Sequence, residues 1–275
     1  MQVCLNGLFM PAEDAKISIF DRGFLYGDSL FETMRVTHRR IFRWHSHWVR
    51  LTTSASMLEM RIPWSEADLL SKAEELVLRN GLPEGVLRLT ISRGVGLRGY
   101  SPVGADTPIY TLTLHPIPEG PATKWKLMTA SQRIPSGIGL DSLKSGNKLR
   151  QVLAKGEASR AGADEAVLLD SSGSLAEGSA SNIFWIESET VLTPPESTGL
   201  LPGITRAVVG ELCCHLGIRL QECLTPPQRA REASGVFCTL STLGIVEVTA
   251  WDNQSCELSP ITRRLQMAYS NLVHS

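Results

Sequence analysis

Residues 143–184 read LKSGNKLRQVLAKGEASRAGADEAVLLDSSGSLAEGSASNIF, and this stretch determines how the second half of the chain folds. A short segment that contains glycine leads into a helix predicted over 147–160, and this helix ends before Gly162. The run EAVLLD-SSG-SLAEG predicts a hairpin, because two apolar runs flank a short turn of small residues. An apolar strand follows at 182–186. The stretch therefore predicts a lobe of mixed helices and strands.

The chain before this stretch predicts a lobe of its own. Asn6-Gly7 lies between short apolar runs and predicts a tight hairpin, since both residues tolerate positive φ. Residues 30–36 and 41–44 predict a strand pair that turns at 38–40. The other elements predicted upstream are helices at 48–58 and 65–80 and strands at 86–92 and 109–115.

A proline cluster separates the two lobes. HPIPEGP contains three prolines close together, and proline removes a backbone donor, so neither a strand nor a helix continues through it. We predict an N-terminal α/β domain at 1–116, a linker at 117–122 and a C-terminal domain at 123–275. Strands and helices mix without strict βαβ alternation, so the fold class is α/β or α+β in two unequal lobes. The remaining elements predicted downstream are strands at 126–131, 236–240 and 245–249, a helix starting around 201–206 and a last helix capped by Ser259.

Composition excludes several classes of function. The 275 residues are 43% apolar and 20% charged, which allows a substantial core without a structural metal. A net charge of −1 gives no reason to expect nucleic acid or an anionic membrane as a partner. No window approaches the roughly 18 to 20 apolar residues that a membrane span needs. The six cysteines form no C-x-x-C pair. We expect a soluble, cytoplasmic protein without a metal.

Three lysines are candidates for covalent chemistry. Lys144 lies in the glycine-containing approach to the predicted helix, where a fixed position and a lowered pKa are attainable. Lys148 and Lys155 compete with it on spacing, and the residues alone favour a solvated charge for each of the three lysines. Glu177 lies in a small, apolar stretch, and a buried carboxylate there needs a cationic or N–H partner.

Two segments are candidates for binding a phosphate. LPGITR puts Ile204 and Thr205 at a predicted helix start, where free N–H groups and the helix dipole favour an anion. Taken alone, the motif is explained better as an ordinary helix cap. Ser241 and Thr242 supply hydroxyls in a predicted turn, although turn chemistry alone also explains them. No P-loop pattern is present, and RGVGLRG at 93–99 lacks the helix start of a dinucleotide loop.

Four motifs in order resemble the class IV aminotransferases, the fold-type IV pyridoxal-phosphate enzymes. They are FDRGFLYGDSLFETMRV at 20–36, HWVRL at 47–51, the stretch at 143–184 and LPGITR at 201–206. The resemblance implies a smaller N-terminal α/β domain, a larger C-terminal pseudo-barrel domain and pyridoxal 5'-phosphate as the cofactor. It also implies a homodimer, because a loop of one subunit completes the site of the next in this family.

The resemblance assigns roles to residues of this chain. Lys144 corresponds to the lysine that forms the Schiff base with the cofactor, and Asn147 completes the family's K-x-x-N pattern. Glu177 corresponds to the acid that pairs with the pyridine nitrogen, and Arg50 to a phosphate-binding arginine. Further phosphate contacts are implied for Ile204, Thr205, Ser241 and Thr242, and substrate contacts for Tyr26, Phe31, Thr33, Arg35, Arg98 and Tyr100.

The loop SRGVGLRGYSP at 92–102 bears on the activity. Its R-G-x-G-x-R-G-Y pattern looks most like the 4-amino-4-deoxychorismate lyases, which release pyruvate and 4-aminobenzoate in folate synthesis. Arg98 would then bind a substrate carboxylate across the dimer. FETMRV agrees with this arrangement, but Ser29 replaces the usual glycine of Y-G-D-G. A D-amino-acid or branched-chain aminotransferase is the alternative. A non-catalytic binding protein is a third, disfavoured by the presence of Lys144, Glu177 and Arg50 together.

Overall fold

The computed structural model describes residues 1–117, 124–137 and 139–275. The chain divides into two compact units, one of residues 1–118 with 144–147 and the other of residues 119–143 with 148–275. The predicted linker at 117–122 falls, apart from residue 117, outside the described residues. In the described part, no helix is both long and apolar enough to span a membrane.

The first unit contains a six-stranded antiparallel sheet in the order β2-β1-β6-β5-β3-β4. Its elements are β1 (Gln2–Leu5), β2 (Leu8–Pro11), a 3₁₀ turn (Ala12–Asp14), α1 (Arg22–Tyr26), β3 (Ser29–Thr37), β4 (Arg40–Ile41), α2 (Trp44–Met57), α3 (Glu66–Asn80), β5 (Gly85–Ser92) and β6 (Ile109–His115).

Local sequence explains most of these boundaries. Asn6 and Gly7 have φ of 49° and 86°, which confirms the predicted hairpin. The side chain of Ser65 accepts a hydrogen bond from the N–H of Asp68 and caps α3, which ends at Gly81 in the left-handed region. The strand predicted at 41–44 was wrong at its end. Trp44 starts α2, because the backbone at the preceding position turns into the left-handed region.

Alternation along β3 separates two faces of the sheet. Leu30, Met34 and Val36 point into a core that α2 and α3 cover, and all three are buried. Phe31, Thr33 and Arg35 alternate with them and point to the opposite face. One strand therefore carries both the packing of the first unit and a row of candidate site residues.

The second unit is built on a nine-stranded mixed sheet in the order β12-β11-β10-β13-β14-β7-β8-β9, with β15 paired to β14. Its elements are β7 (Lys124–Ile134), a 3₁₀ turn (Leu140–Ser142), α4 (Leu149–Arg160), β8 (Glu165–Asp170), β9 (Leu175–Gly178), β10 (Asn182–Glu187), β11 (Thr190–Thr193), a 3₁₀ turn (Glu196–Thr198), α5 (Ile204–Leu216), β12 (Arg219–Glu222), α6 (Pro227–Arg231), β13 (Val236–Leu240), β14 (Gly244–Trp251), β15 (Gln254–Ser255) and α7 (Pro260–His274).

This larger sheet curls back towards itself. β9, at one end of the path of paired strands, also lies against β10. One face packs into an apolar core that includes Trp185 and Trp251, both fully buried. On the other face the rings of Phe184 and Phe237 stack with centroids 4.8 Å apart, and α5 and α7 lie against β13 and β14. The predicted mixed fold with a smaller first and a larger second domain is confirmed.

Candidate active site

The segment Lys144–Asn147 is held against the edge of β3. Ser145 forms a β-bridge with Leu30, and the N–H of Phe31 donates to the carbonyl oxygen of Lys144 at 2.9 Å. The N–H of Gly146 donates to the carbonyl of Ser29, also at 2.9 Å. The Lys144 ammonium lies 4.7 Å from the centre of the Phe31 ring. Paired backbone on both sides thus fixes the position from which this lysine extends.

The two competing lysines have different surroundings. The ammonium of Lys148 donates to the carbonyl of Leu143 at 3.0 Å, and that of Lys155 donates to the carbonyl of Asp164. Both contacts lie within the second unit. Of the three candidates, Lys144 is the lysine that the structure brings to the β3 face carrying Phe31, Thr33 and Arg35.

Arg88 lies on the same face and was not singled out in the sequence. It is opposite Thr33 in the pairing of β3 with β5, and its guanidinium carbon lies 3.8 Å from the centre of the Phe31 ring. Its Nε donates to Thr90 at 3.3 Å. Burial lowers the pKa of this guanidinium from its ordinary value. Among the described residues, no carboxylate forms an ion pair with Arg88, so its charge is available to an anionic ligand.

Arg35 is engaged differently from Arg88. Its guanidinium pairs with Glu84 at 2.9 Å, and the other carboxylate oxygen of Glu84 accepts from Thr37 at 2.8 Å. Arg35 therefore stands on the predicted face, with an ion-pair partner that the sequence did not indicate.

A buried triad lies on the core side of β3. Glu32, 1% exposed, accepts hydrogen bonds from Nε and Nη2 of Arg50 at 2.9 and 2.6 Å. Nδ1 of His47 contacts the same carboxylate at 2.6 Å. Arg50 and His47 both extend from α2, one helical turn apart, which lets them converge on one acceptor.

The protonation of this triad follows from burial and charge. Burial alone would raise the pKa of Glu32, but the hydrogen bond from His47 and the charge of Arg50 outweigh it and lower that pKa to about 2. Burial also lowers the pKa of His47, against the pull of Glu32, and the charges of Arg50 and Lys144 act in the same direction as burial. Neutral His47 then donates its Nδ1 proton to the Glu32 carboxylate. The sequence did not identify Glu32 or His47, although an acid at a core-facing strand position was a usable signal.

Three predicted substrate residues lie around the loop at 92–102. The hydroxyl of Tyr26 accepts a hydrogen bond from the N–H of Gly99 at 3.3 Å, and its ring meets that of Tyr100 edge-on at 5.4 Å. The Tyr100 side chain is 86% exposed, and Arg98 is exposed as well. The loop is therefore anchored by its backbone while the side chains of Arg98 and Tyr100 face outwards.

Glu177 lies on β9 in the second unit and is buried. One of its carboxylate oxygens accepts a hydrogen bond from the N–H of Leu201 at 2.9 Å. The carbonyl of Leu201 in turn accepts from the side-chain amide of Asn182 at 2.9 Å. The N–H partner expected for a buried carboxylate is thus present, and it ties Glu177 to the segment before α5.

The start of α5 has the features of a phosphate site. No side chain of the described residues caps this helix start. The N–H groups of Ile204 and Thr205 therefore point out of the N-terminal end, where the positive end of the helix dipole lies. A Cβ at Gly203 would stand 2.0 Å from Oδ1 of Asn182, so the close approach requires glycine. In the same unit, Ser241 and Thr242 lie in the turn between β13 and β14, and both are half-buried. These donors fit the phosphate of a cofactor.

Comparison with known proteins gives a consistent picture. The family model for amino-transferase class IV matches residues 29–251. The chain is 33% identical to a putative branched-chain-amino-acid aminotransferase of Methanocaldococcus jannaschii, over 99% of this chain and 96% of that protein. It is 31% identical to a D-alanine aminotransferase of Bacillus licheniformis, over 100% and 98%. It is 29% identical to an aminodeoxychorismate lyase of Bacillus subtilis, over 99% and 96%.

Solved structures agree with these relatives. The branched-chain amino acid aminotransferase of Escherichia coli superposes with a TM-score of 0.93 at 26% identity, covering 99% of this chain and 94% of that one. A second branched-chain enzyme, solved with pyridoxamine 5'-phosphate, superposes with a TM-score of 0.92 at 31% identity and the same coverage. A putative 4-amino-4-deoxychorismate lyase from Legionella pneumophila superposes with a TM-score of 0.87 at 29% identity, covering 94% and 96%. The similar proteins thus carry more than one named activity.

Proposed function

The chain belongs to the class IV aminotransferase family, and within that family we propose that it is a 4-amino-4-deoxychorismate lyase. It would convert 4-amino-4-deoxychorismate to pyruvate and 4-aminobenzoate in folate synthesis. Its cofactor is pyridoxal 5'-phosphate, as the family and the cofactor-containing solved relatives indicate. When bound, this cofactor supplies an electron sink for the carbon that carries the substrate amine.

The residues of the chain fit this cofactor. Lys144 would hold it covalently, and Glu177 would keep its pyridine nitrogen protonated. The start of α5 at Ile204 and Thr205 would bind the phosphate through backbone N–H groups, with hydroxyls from Ser241 and Thr242. Arg50 would add a guanidinium to the same phosphate.

Lys144 also performs the proton transfer in this proposal. Its amine would remove the proton from the amine-bearing ring carbon of the substrate. The ether bond to the neighbouring ring carbon then breaks, the ring becomes aromatic, and the departing enolpyruvyl group takes up a proton to give pyruvate. In an aminotransferase the amino group would instead pass to an acceptor keto acid, and the donor would leave as a keto acid. Binding and orientation of the substrate decide between these outcomes.

The observation that carries the proposal is the presence of two arginine side chains, Arg88 and Arg98, that can bind a substrate with two carboxylates. Arg88 stands beside Phe31 on the face of Lys144 without an acidic partner among the described residues. Arg98 is exposed on the anchored loop. 4-Amino-4-deoxychorismate carries two carboxylates, whereas D-alanine and leucine carry one. Tyr26, Thr33 and Tyr100 would complete the pocket around these charges.

We also propose a homodimer, because the exposed position of Arg98 suits a role in the site of a second copy. Sedimentation of the cofactor-loaded protein tests this, and a fully active monomer would contradict it.

A D-amino-acid or branched-chain aminotransferase is the second candidate function. The relatives at 33% and 31% identity bear those names. The amino acceptor used in the assay below, 2-oxoglutarate, is also a dicarboxylate. The core residues Lys144, Glu177 and Arg50 serve both reactions equally.

One comparison of activities tests the proposal. The purified, cofactor-loaded enzyme is given 4-amino-4-deoxychorismate, generated in place from chorismate, and the release of 4-aminobenzoate and pyruvate is followed. In parallel it is given D-alanine or L-leucine with 2-oxoglutarate, and keto-acid formation is followed. We expect rapid 4-aminobenzoate release with weak transamination. Rapid transamination without 4-aminobenzoate would refute the lyase and establish the second candidate.

A further inference from the structure

Arg22 is a buried arginine whose side chain ends inside the loop at 92–102. It is 4% exposed and lies at the first position of α1. Its Nη1 donates to the carbonyls of Gly99 and Ser101, both at 3.0 Å, and its Nη2 donates to that of Tyr100 at 2.9 Å. Its Nε donates to Asp28 at 2.8 Å, which neutralises the charge. One guanidinium thus holds three consecutive carbonyls, a geometry that lysine cannot reproduce.

Other contacts from α1 complete this anchor. Tyr26 accepts the N–H of Gly99, so the N–H as well as the carbonyl of that residue is held. The Tyr26 ring lies 5.0 Å from the guanidinium carbon of Arg22 and contacts the ring of Tyr100. A Cβ at Gly96 would stand 3.0 Å from Cδ of Arg22, so glycine leaves room for the arginine stem.

We propose that Arg22 is a positioning residue that presets the loop for substrate recognition. Leu97 is 74% exposed and Tyr100 is 86% exposed, so these side chains have little packing of their own to order them. An exposed loop loses conformational entropy when it binds, and each bond from Arg22 removes part of that loss beforehand. Arg98 is then presented to the substrate carboxylate in one arrangement. This inference rests on the proposed function, because it takes the loop to be the substrate reader.

Arg93 provides a matched control. It is also buried, and its Nε donates to the same carboxylate oxygen of Asp28, at 2.8 Å. Its remaining donors bind the carbonyls of Glu59 and Leu58, at 3.0 and 2.8 Å, next to the end of α2. Arg93 stands at the start of the loop, and replacing it disturbs the same ion-pair cluster as replacing Arg22 while the bonds from Arg22 to the carbonyls at 99–101 remain.

The experiment compares Arg22→Lys with Arg93→Lys in the full-length, cofactor-loaded enzyme. Hydrogen exchange by mass spectrometry reports on loop amides at 97–103. Steady-state kinetics with 4-amino-4-deoxychorismate give KM and kcat separately. For Arg22→Lys we expect loop exchange to accelerate and KM to rise, each about tenfold, with cofactor affinity unchanged within about twofold. For Arg93→Lys we expect loop exchange and KM to remain near wild type. A loosened loop with unchanged KM, or an equal rise of KM in both variants, would overturn the inference.

A second variant covers the case in which Arg22→Lys does not fold. Tyr26→Phe removes the hydroxyl that holds the N–H of Gly99, and it should accelerate loop exchange by about threefold. Loop exchange is the readout for this variant, because Tyr26 is itself a proposed substrate contact. Unchanged loop exchange in Tyr26→Phe would also overturn the inference. Failure of the proposed function is recognised separately, because the wild type then forms keto acid but no 4-aminobenzoate. In that case KM is measured for the amino donor and 2-oxoglutarate, and the role of Arg22 is judged on those values.

Discussion

The charge of Glu32 makes the first unit dependent on one buried carboxylate. The Glu32 carboxylate accepts two hydrogen bonds from Arg50 and one from His47, and the residue is 1% exposed. Glu32→Gln preserves the size of the side chain and removes its charge. Arg50, whose side chain is 10% exposed, would then lose the carboxylate that neutralises it. We expect the first unit to be strongly destabilised, because the change removes the negative charge that two hydrogen bonds join to a largely buried guanidinium.

The pKa of Glu32 sets the size of the expected loss in the free energy of unfolding. It falls from an ordinary 4.5 to about 2 in the folded protein. That difference corresponds to about 3 kcal/mol of stability at neutral pH, with little screening because the group is buried. A carboxyl group whose pKa is lower in the folded state stabilises that state at every pH above its pKa in the unfolded chain. This stabilisation is lost as the pH falls through the pKa of the folded state. The contribution is therefore complete above about pH 4.5, about half at pH 3 and absent below about pH 2.

Urea denaturation of the cofactor-free protein measures the change in unfolding free energy, and hydrogen exchange of β3 peptides assigns it to the first unit. The control is Glu84→Gln, because Glu84 also pairs with an arginine but its side chain is 34% exposed. We expect a loss of about 3 kcal/mol for Glu32→Gln and less than about 1 kcal/mol for Glu84→Gln. A loss for Glu32→Gln below about 1 kcal/mol, or a difference from wild type that does not shrink between about pH 6 and pH 3, would contradict this account of the triad.

Three further predictions concern the site. Lys144→Ala should abolish the near-ultraviolet to blue absorption of the bound cofactor and all turnover, while Lys148→Ala retains both; a band that survives Lys144→Ala would move the covalent attachment elsewhere. Gly203→Ala should weaken cofactor binding about tenfold in an absorbance titration, because the new Cβ displaces Asn182 beside the start of α5; unchanged affinity would remove this helix start from the phosphate site. Arg88→Met should raise KM for a dicarboxylate substrate about tenfold while the cofactor titration stays as in wild type, and an unchanged KM would leave Arg88 without a substrate role.

Local chemistry in the sequence predicted the elements well. The Asn6-Gly7 hairpin and the Ser65 cap of α3 depend on backbone preferences within a few residues, so both were predictable. The helix start at Trp44 was missed, because the left-handed turn before it is made by Arg43, a residue with no strong preference for that conformation.

Long-range contacts could not be predicted in the same way. Glu32 appears in the sequence as one charge in a strand, and its two partners become visible only when α2 packs on the sheet. Arg88 gains its place beside Phe31 through strand pairing across more than fifty residues. Spacing alone left three lysines open, and the pairing of Ser145 with Leu30 is what sets Lys144 apart. Each of these facts depends on tertiary structure that no local pattern encodes.

The attachment of Lys144–Asn147 to β3 bears on how the protein is made in the cell. During translation, β1 to β6 emerge from the ribosome well before this segment, which is separated from β6 by about thirty residues. The edge of β3 next to Ser29 therefore waits for a partner until Asn147 has left the ribosome. Because the contact joins residues far apart in sequence, it forms late in folding. Under the proposed role of Lys144, a nascent chain cannot bind its cofactor covalently in place before then, and cofactor attachment would mark the completion of the first unit.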